Sequence, residues 1–166
     1  MSNIIKSTLF DNILNRLIKI ITKISSLSLI ILVLVVISEI FFRFLFNFPI
    51  IYTTELTQLF FPWLIFLGSI LVTYKNGHMK IDFLNERLPI KIKFFNTIFI
   101  KSVMLFFSIL VSISSFKFTQ RFTGQIMPVL KISRFWFYSS MVFSFTVISI
   151  ILIYQIITKV FKNEKN

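Results

Sequence analysis

Four long apolar runs dominate the pattern of hydrophobic and polar positions along the chain. They cover approximately residues 24–42, 56–74, 94–116 and 135–158, and each is uncharged or nearly so. A helix of about 20 such residues crosses the hydrocarbon core of a bilayer, and only helices and closed barrels satisfy all backbone hydrogen bonds there. The pattern predicts an all-α membrane protein with four transmembrane helices, in which residues 1–166 form a single integral membrane domain.

Two shorter segments are amphipathic. Residues 4–23 combine apolar positions at helical spacing with a basic face, and residues 80–88 carry an apolar stripe. Helices of this kind lie in the membrane interface, with the basic face beside anionic lipid headgroups. We therefore expect two interfacial helices beside the four spans. The alternative for residues 4–23 is that they are an early start of the first span.

Composition and charge support a membrane location and predict an orientation. Hydrophobic residues make up 56% of the chain and charged residues 14%, which is too apolar for an ordinary soluble domain. The net charge of +12 lies between the spans, where it sets topology, so we expect no nucleic-acid partner. Twelve Lys and Arg residues flank the spans on the side that holds both termini, and five lie on the other side. The excess predicts that both termini are cytoplasmic.

Three charged residues lie near the first turn between spans. Glu39 and Arg43 are four residues apart, so their side chains share a helix face. Glu55 opens the second span after Thr54, where a carboxylate suits the positive end of a helix. We expect Glu39, Arg43 and Glu55 to converge in a structural clasp, since one arginine between two carboxylates reduces the cost of charge near lipid. The alternative is a site for a transported ion.

Four further residues are candidates for structural or interface roles. Trp63 lies deep in the second span, where it either packs in the core or contacts a partner helix. His78 and Asp82 are four residues apart after that span, which favours a capping pair over catalysis. Lys101 lies inside the third run, where its side chain either reaches the headgroups or binds a lipid phosphate or a partner carboxylate.

The composition also excludes several chemistries. The chain has one histidine and no cysteine, so it lacks the paired axial histidines of a transmembrane haem, thiol catalysis and cysteine-bound metals. There is no glycine-rich phosphate loop, and no carboxylate lies near mid-bilayer. We therefore expect no enzyme activity and no cofactor. These features indicate a scaffold or auxiliary subunit, and a stand-alone four-helix channel or pore-forming protein is the alternative.

The order of these residues and motifs resembles that in the small membrane subunit of tripartite ATP-independent periplasmic (TRAP) transporters, the DctQ-like family. Arg43 is followed by Phe-Asn-Phe-Pro at 46–49 and by Glu55 at the start of the second span. Trp-Leu-Ile-Phe-Leu-Gly follows at 63–68, and Gly-His-Met-Lys-Ile-Asp at 77–82 closes the block. Two departures from the family pattern are visible. Gly77 and His78 are adjacent, and the Pro-x-Leu-x-x-Pro pattern before the last span has Ser133 in place of its second proline.

The resemblance implies a non-catalytic subunit in a bacterial inner membrane. Such a subunit braces a large multi-span membrane subunit, which carries the substrate and sodium sites, and helps to dock an extracytoplasmic substrate-binding protein. The substrate would be an organic acid of the sialic acid or dicarboxylate type. The resemblance gives a structural role in the first hairpin to Glu39, Arg43, Glu55, His78 and Asp82, and makes Trp63 and Lys101 candidates for partner or lipid contact.

Overall fold

The computed structural model describes residues 2–47, 51–75 and 90–163. These residues form four helices: α1 (Ser2–Phe46), α2 (Tyr52–Tyr74), α3 (Ile90–Arg121) and α4 (Phe135–Asn163). Each helix contains a segment long and apolar enough to cross a membrane, namely Asn12–Phe46, Tyr52–Tyr74, Phe94–Arg121 and Phe135–Val160. The predicted all-α architecture with four spans is confirmed.

The first helix is longer than the sequence pattern predicts. Residues 4–23 continue without a break into the first span, because α1 is one helix of 45 residues. This is the alternative interpretation of that segment, an early start of the span. The expected interfacial helix at 80–88 and the pair His78 and Asp82 lie outside the described residues.

The helices form a row in the order α1, α2, α4, α3. The extensive contacts between helices in the described part of the chain are those of α1 with α2, α2 with α4, and α3 with α4. Consequently α2 and α4 are central. The extensive contacts of α1 are with α2, and those of α3 are with α4. We call the end of the row where α2 begins the Glu55 end, and the end where α2 finishes the Lys101 end.

A regular stripe runs along the side of α1 on which Leu14, Ile18 and Ile21 pack against α2. Its members are buried or partly buried and are separated alternately by four and three residues. This is the spacing of a coiled-coil contact, in which two antiparallel or parallel helices interlock along one face. We call this stripe the α1–α2 seam. It consists of Leu14, Ile18, Ile21, Ser25, Ser28, Leu32, Val35 and Glu39.

The main hydrophobic core lies where three helices meet. Side chains from the start of α1, the second half of α2 and the middle of α4 form one cluster, in which Ile70 and Ile151 are fully buried. Burial of such a side chain stabilises a soluble protein by about 1.5–3 kcal/mol, but lipid is itself apolar, so in a membrane close packing supplies the stability instead. The cluster consists of Leu14, Ile18, Ile21, Leu67, Ile70, Ile148, Ile151 and Leu152.

Hydroxyl groups join α3 to α4. Ser108 and Ser149 share a hydrogen bond of 2.8 Å, and one turn farther along Ser112 and Thr146 share one of 2.9 Å. Small hydroxyl side chains let two helix backbones approach closely and give a hydrogen bond that lipid cannot replace. The joint therefore combines close packing with polar pairing.

Candidate functional site

The most elaborate polar contact in the described residues is made by the carboxylate of Glu55. Its side chain is 7% exposed and lies in the first turn of α2. One oxygen accepts the backbone N–H of Val129 at 3.0 Å, and the other accepts the N–H of Leu130 at 2.6 Å and lies 3.2 Å from the nitrogen of Val129. Glu55 thus ties α2 to the loop that connects α3 with α4.

The fold of this loop explains why the two amides need an acceptor. Residues 126 and 133 form an antiparallel bridge. The N–H of Met127 donates to the carbonyl of Ile132 at 2.9 Å, and the carbonyl of Met127 accepts the N–H of Lys131 at 3.0 Å. The chain between them turns tightly, with Lys131 at a φ of 54°. The amides of Val129 and Leu130 point out of this turn toward Glu55. Buried backbone N–H groups without a partner are costly, so the carboxylate stabilises this loop conformation.

Ser133 stabilises the same loop in place of the proline of the family pattern. Its hydroxyl donates to the carbonyl of Thr123 at 2.8 Å and accepts the N–H of Phe135 at 3.2 Å. The second contact satisfies one of the free N–H groups at the start of α4, as serine commonly does at helix N-termini. The loop is therefore held at its tip by Glu55 and at its base by Ser133.

The structure does not bring the three predicted clasp residues together. Among the described residues no ion pair joins Arg43 to Glu39 or to Glu55; Arg43 is exposed and Glu39 is partly buried on the α1–α2 seam. The register of the two helices explains this result. The Tyr74 hydroxyl donates to the Asn15 side chain, so in an antiparallel pair the first turn of α2 lies level with α1 near residue 34, roughly 8–14 Å before Glu39 and Arg43.

Trp63 joins α2 to α4. Its indole N–H donates to the carbonyl of Trp136 at 3.1 Å, and its ring lies 6.2 Å from that of Phe143. The residue also packs against the hydrophobic core. Of the two predicted roles, the structure shows the contact within the chain. Buried tryptophan usually has such a partner for its N–H.

Lys101 belongs to a polar chain that links three helices at the Lys101 end. Its ammonium group donates to the side-chain oxygen of Gln155 at 2.8 Å. The amide nitrogen of Gln155 in turn donates to the carbonyls of Thr73 at 3.0 Å and Tyr74 at 3.4 Å. These carbonyls belong to the last turn of α2, where the regular helical N–H partners run out; the carbonyl of Thr73 also accepts a backbone N–H of the C-cap. Lys101 and Gln155 therefore cap α2 and bring positive charge to its negative end.

Sequence reasoning missed the partners in these contacts. Gln155 is an amide in an otherwise apolar run near a predicted helix end, and that position could have suggested a capping role. The amides of Val129 and Leu130 carry no signal of their own, because every residue except proline has a backbone N–H. Only the folded loop shows that these two point toward a carboxylate.

A row of apolar membrane-spanning helices, fastened by a carboxylate-bound loop, interhelical hydroxyl pairs and a capped helix end, defines a small integral membrane protein. The family model of the DctQ component of tripartite ATP-independent periplasmic transporters matches residues 32–162. The chain therefore belongs to this family of small TRAP transporter components. A comparison with curated protein sequences finds no matching relative.

Proposed function

We propose that this chain is the non-catalytic brace of a sodium-driven, binding-protein-dependent transporter for organic acids of the sialic acid or dicarboxylate type. In this role it holds the large multi-span subunit, which carries the substrate and sodium sites, and helps to dock the extracytoplasmic substrate-binding protein. The observation that supports the proposal most is the Glu55 contact, which fastens an extramembrane loop to the helical row. A rigid loop on a rigid row suits a support better than a moving part.

The Glu55 end is suited to docking an acidic soluble protein. Lys131 is exposed beside the two bound amides, and Arg134 is exposed at the base of the same loop. Lys117 and Arg121 are exposed on the last turns of α3. Complementary charge speeds the association of two proteins and orients them. On the proposed topology, with both termini cytoplasmic in a bacterial inner membrane, this end faces the binding protein.

The exposed side of α2 is the surface that we propose for the large subunit. Gly68 lies on this side with Phe61, Ile65 and Val72, which are between 44% and 50% exposed. A Cβ atom added at Gly68 would meet nothing within 4 Å, so packing within the chain does not require glycine there. In membranes, small residues let a neighbouring helix approach closely. A helix of the large subunit that crosses α2 at Gly68 would use this gap.

Co-purification tests the brace and its surface together. The chain is tagged, expressed with the neighbouring large membrane protein and purified in mild detergent. We expect a one-to-one complex on size exclusion with the wild type, and loss of the large subunit with Gly68→Leu. Gly124→Leu is the matched control, because a Cβ at Gly124 also meets nothing within 4 Å but lies in the loop. A monodisperse chain without its co-expressed partner would overturn the proposal.

Docking is tested in proteoliposomes that contain both membrane subunits and are supplied with the binding protein. Lys131→Glu should raise the concentration of binding protein needed for half-maximal uptake and leave the maximal rate nearly unchanged. Lys131→Arg keeps the charge and is the control. An unchanged half-saturation in the Glu variant at low salt would contradict a docking role for this loop.

The alternative function, a stand-alone channel or pore, receives less support from the arrangement of the helices. A pore through a single chain needs helices in a closed ring, whereas in the described part of the chain no extensive contact between α1 and α3 closes the row. Conductance of the purified chain in planar bilayers separates the two functions. Ion currents from the chain alone would favour the pore, and silent membranes would favour the brace.

A further inference from the structure

One face of α1 carries basic residues where the helix enters the membrane. Arg16, Lys19 and Lys23 are exposed, and together with Asn12 they fall within an arc of roughly 60° on the helix. This arc points away from the α1–α2 seam, which occupies the opposite side of the same turns. The cations therefore face outward from the row. We call them the α1 basic face.

The position of the α1 basic face along the helix corresponds to a headgroup layer. The span that includes it runs from Asn12 to Phe46 and has 35 residues, which exceeds the length that a bilayer requires. The Tyr74 hydroxyl donates to Asn15, so the last turn of the α2 span lies level with the first turn of the basic face. The basic face is thus left at the membrane boundary of the Lys101 end, where lysine and arginine side chains extend toward phosphates.

An open groove runs along this face. Its volume is about 860 Å³, the described residues that line it all lie on α1, and Asn12, Asn15, Arg16 and Lys19 supply its polar lining. The side-chain oxygen of Asn15 accepts the Tyr74 hydroxyl, so its NH₂ group is the part that serves as a donor. The groove thus combines two cations with amide donors, a set that matches phosphate oxygens.

We propose that the α1 basic face binds the headgroup of an anionic glycerophospholipid. Charge favours this occupant, because three cations at a membrane boundary attract anionic headgroups. Leu17 and Ile20 share the groove and lie farther into the span than Arg16, so they fit the start of the acyl chains. The proposed ligand is a phosphate joined to an apolar tail, and the tail distinguishes a phospholipid from free phosphate. Assignment to the cytoplasmic leaflet rests on the proposed topology, but the binding does not.

Binding of fluorescent phosphatidylglycerol to the full chain in neutral detergent tests the proposal, with phosphatidylcholine and inorganic phosphate as competitors. Each cation near an anionic surface contributes roughly fivefold to the affinity, so R16Q/K19Q/K23Q should weaken binding by roughly 100-fold at low salt. K117Q/R121Q/K131Q removes the same charge at the Glu55 end and should leave binding within about threefold. R16K/K19R/K23R keeps the charge and should retain it.

Four results would overturn the proposal. The first is equal competition by phosphatidylcholine and phosphatidylglycerol, and the second is equal loss in the two charge-removing variants. The third is loss of binding when the chain is purified with its large subunit, because that protein would then cover the face. Competition by inorganic phosphate as strong as by phosphatidylglycerol would also contradict a lipid site. Helicity by circular dichroism establishes that each variant is folded before titration.

Discussion

Glu55→Gln tests the central contact of this structure. The carboxylate accepts two backbone N–H groups, with nitrogen–oxygen distances of 3.0 Å to Val129 and 2.6 Å to Leu130. Glutamine keeps one acceptor oxygen and replaces the other with an NH₂ group, which cannot accept a hydrogen bond. The two amides must then share one oxygen, as Oε2 already lies 2.6 Å from the Leu130 nitrogen and 3.2 Å from that of Val129, and the 3.0 Å bond to Val129 is lost. Replacement of Glu55 leaves α2 without a charged group in its first turn, which adds a small further loss.

The magnitude follows from the type of hydrogen bond that is lost. A hydrogen bond to a charged group contributes about 1.5–3 kcal/mol. Part of this loss is offset, because the neutral amide costs less to bury than the carboxylate, which is 7% exposed. We expect a net destabilisation of the loop by about 1–2 kcal/mol, which corresponds to a roughly 5–30-fold larger equilibrium population of the opened loop.

Amide hydrogen exchange measures this effect locally. Peptides that cover residues 125–135 should exchange roughly 5–30-fold faster in Glu55→Gln, and peptides from the core of α4 should be unchanged. Glu39→Gln makes the same chemical change on the α1–α2 seam and is the control. Unchanged exchange in the loop of the Glu55 variant, or equal acceleration in both variants, would refute the anchoring role of Glu55.

Three further predictions concern joints between helices, each measured by unfolding of the full chain in mixed micelles. The buried hydroxyl of Ser144 has no hydrogen-bond partner in the described residues, so Ser144→Ala should be neutral or stabilise by up to about 1 kcal/mol. Ser108→Ala should instead cost about 1 kcal/mol, because it removes the hydrogen bond to Ser149. A greater loss of stability in Ser144→Ala than in Ser108→Ala would contradict these hydrogen-bond assignments. Gln155→Leu should cost about 2–3 kcal/mol, since the end of α2 and the ammonium of Lys101 both lose a partner, and a cost below about 0.5 kcal/mol would show that the cap is dispensable. Trp63→Phe keeps an aromatic ring and loses the N–H bond to α4, so we expect a cost of about 1 kcal/mol, and a gain in stability would contradict that bond.

The structure also changes the expected contribution of Arg43 to the stability of the chain. The sequence predicts an arginine between two carboxylates, whose removal would leave charge near lipid. Because Arg43 is exposed and Glu55 is bound by backbone amides instead, we expect Arg43→Ala to change the stability of the isolated chain by less than about 0.5 kcal/mol.

The sequence predicted the individual helices well but not their lengths or neighbours. The apolar runs set the four spans, since a helix is the form in which a single apolar segment satisfies its own backbone in lipid. The sequence leaves open whether residues 4–23 form an interfacial helix or an early start of the span, because basic residues on one face fit both. The unbroken α1 and the packing of Leu14, Ile18 and Ile21 against α2 are features of the tertiary structure.

The sequence singles out Glu55, Trp63 and Lys101 as polar or aromatic residues in unusual places, but it does not identify the groups that they contact. Their partners are the amides of a loop, a helix carbonyl and Gln155. Backbone groups are the same at nearly every position, so the sequence does not show which of them a fold leaves unpaired.

By itself, the sequence determined the class of this protein, its four spans and its family. Hydropathy over about 20 residues and a short ordered set of motifs are local properties of the chain. The tertiary structure decided the order of the helices in the row and the register of α1 on α2. That register separates Arg43 from Glu55, and the turn of the α3–α4 loop supplies the amides that Glu55 binds. These features depend on which surfaces pack together, and in lipid many apolar helix pairs are nearly equivalent until close packing and a few hydrogen bonds select one.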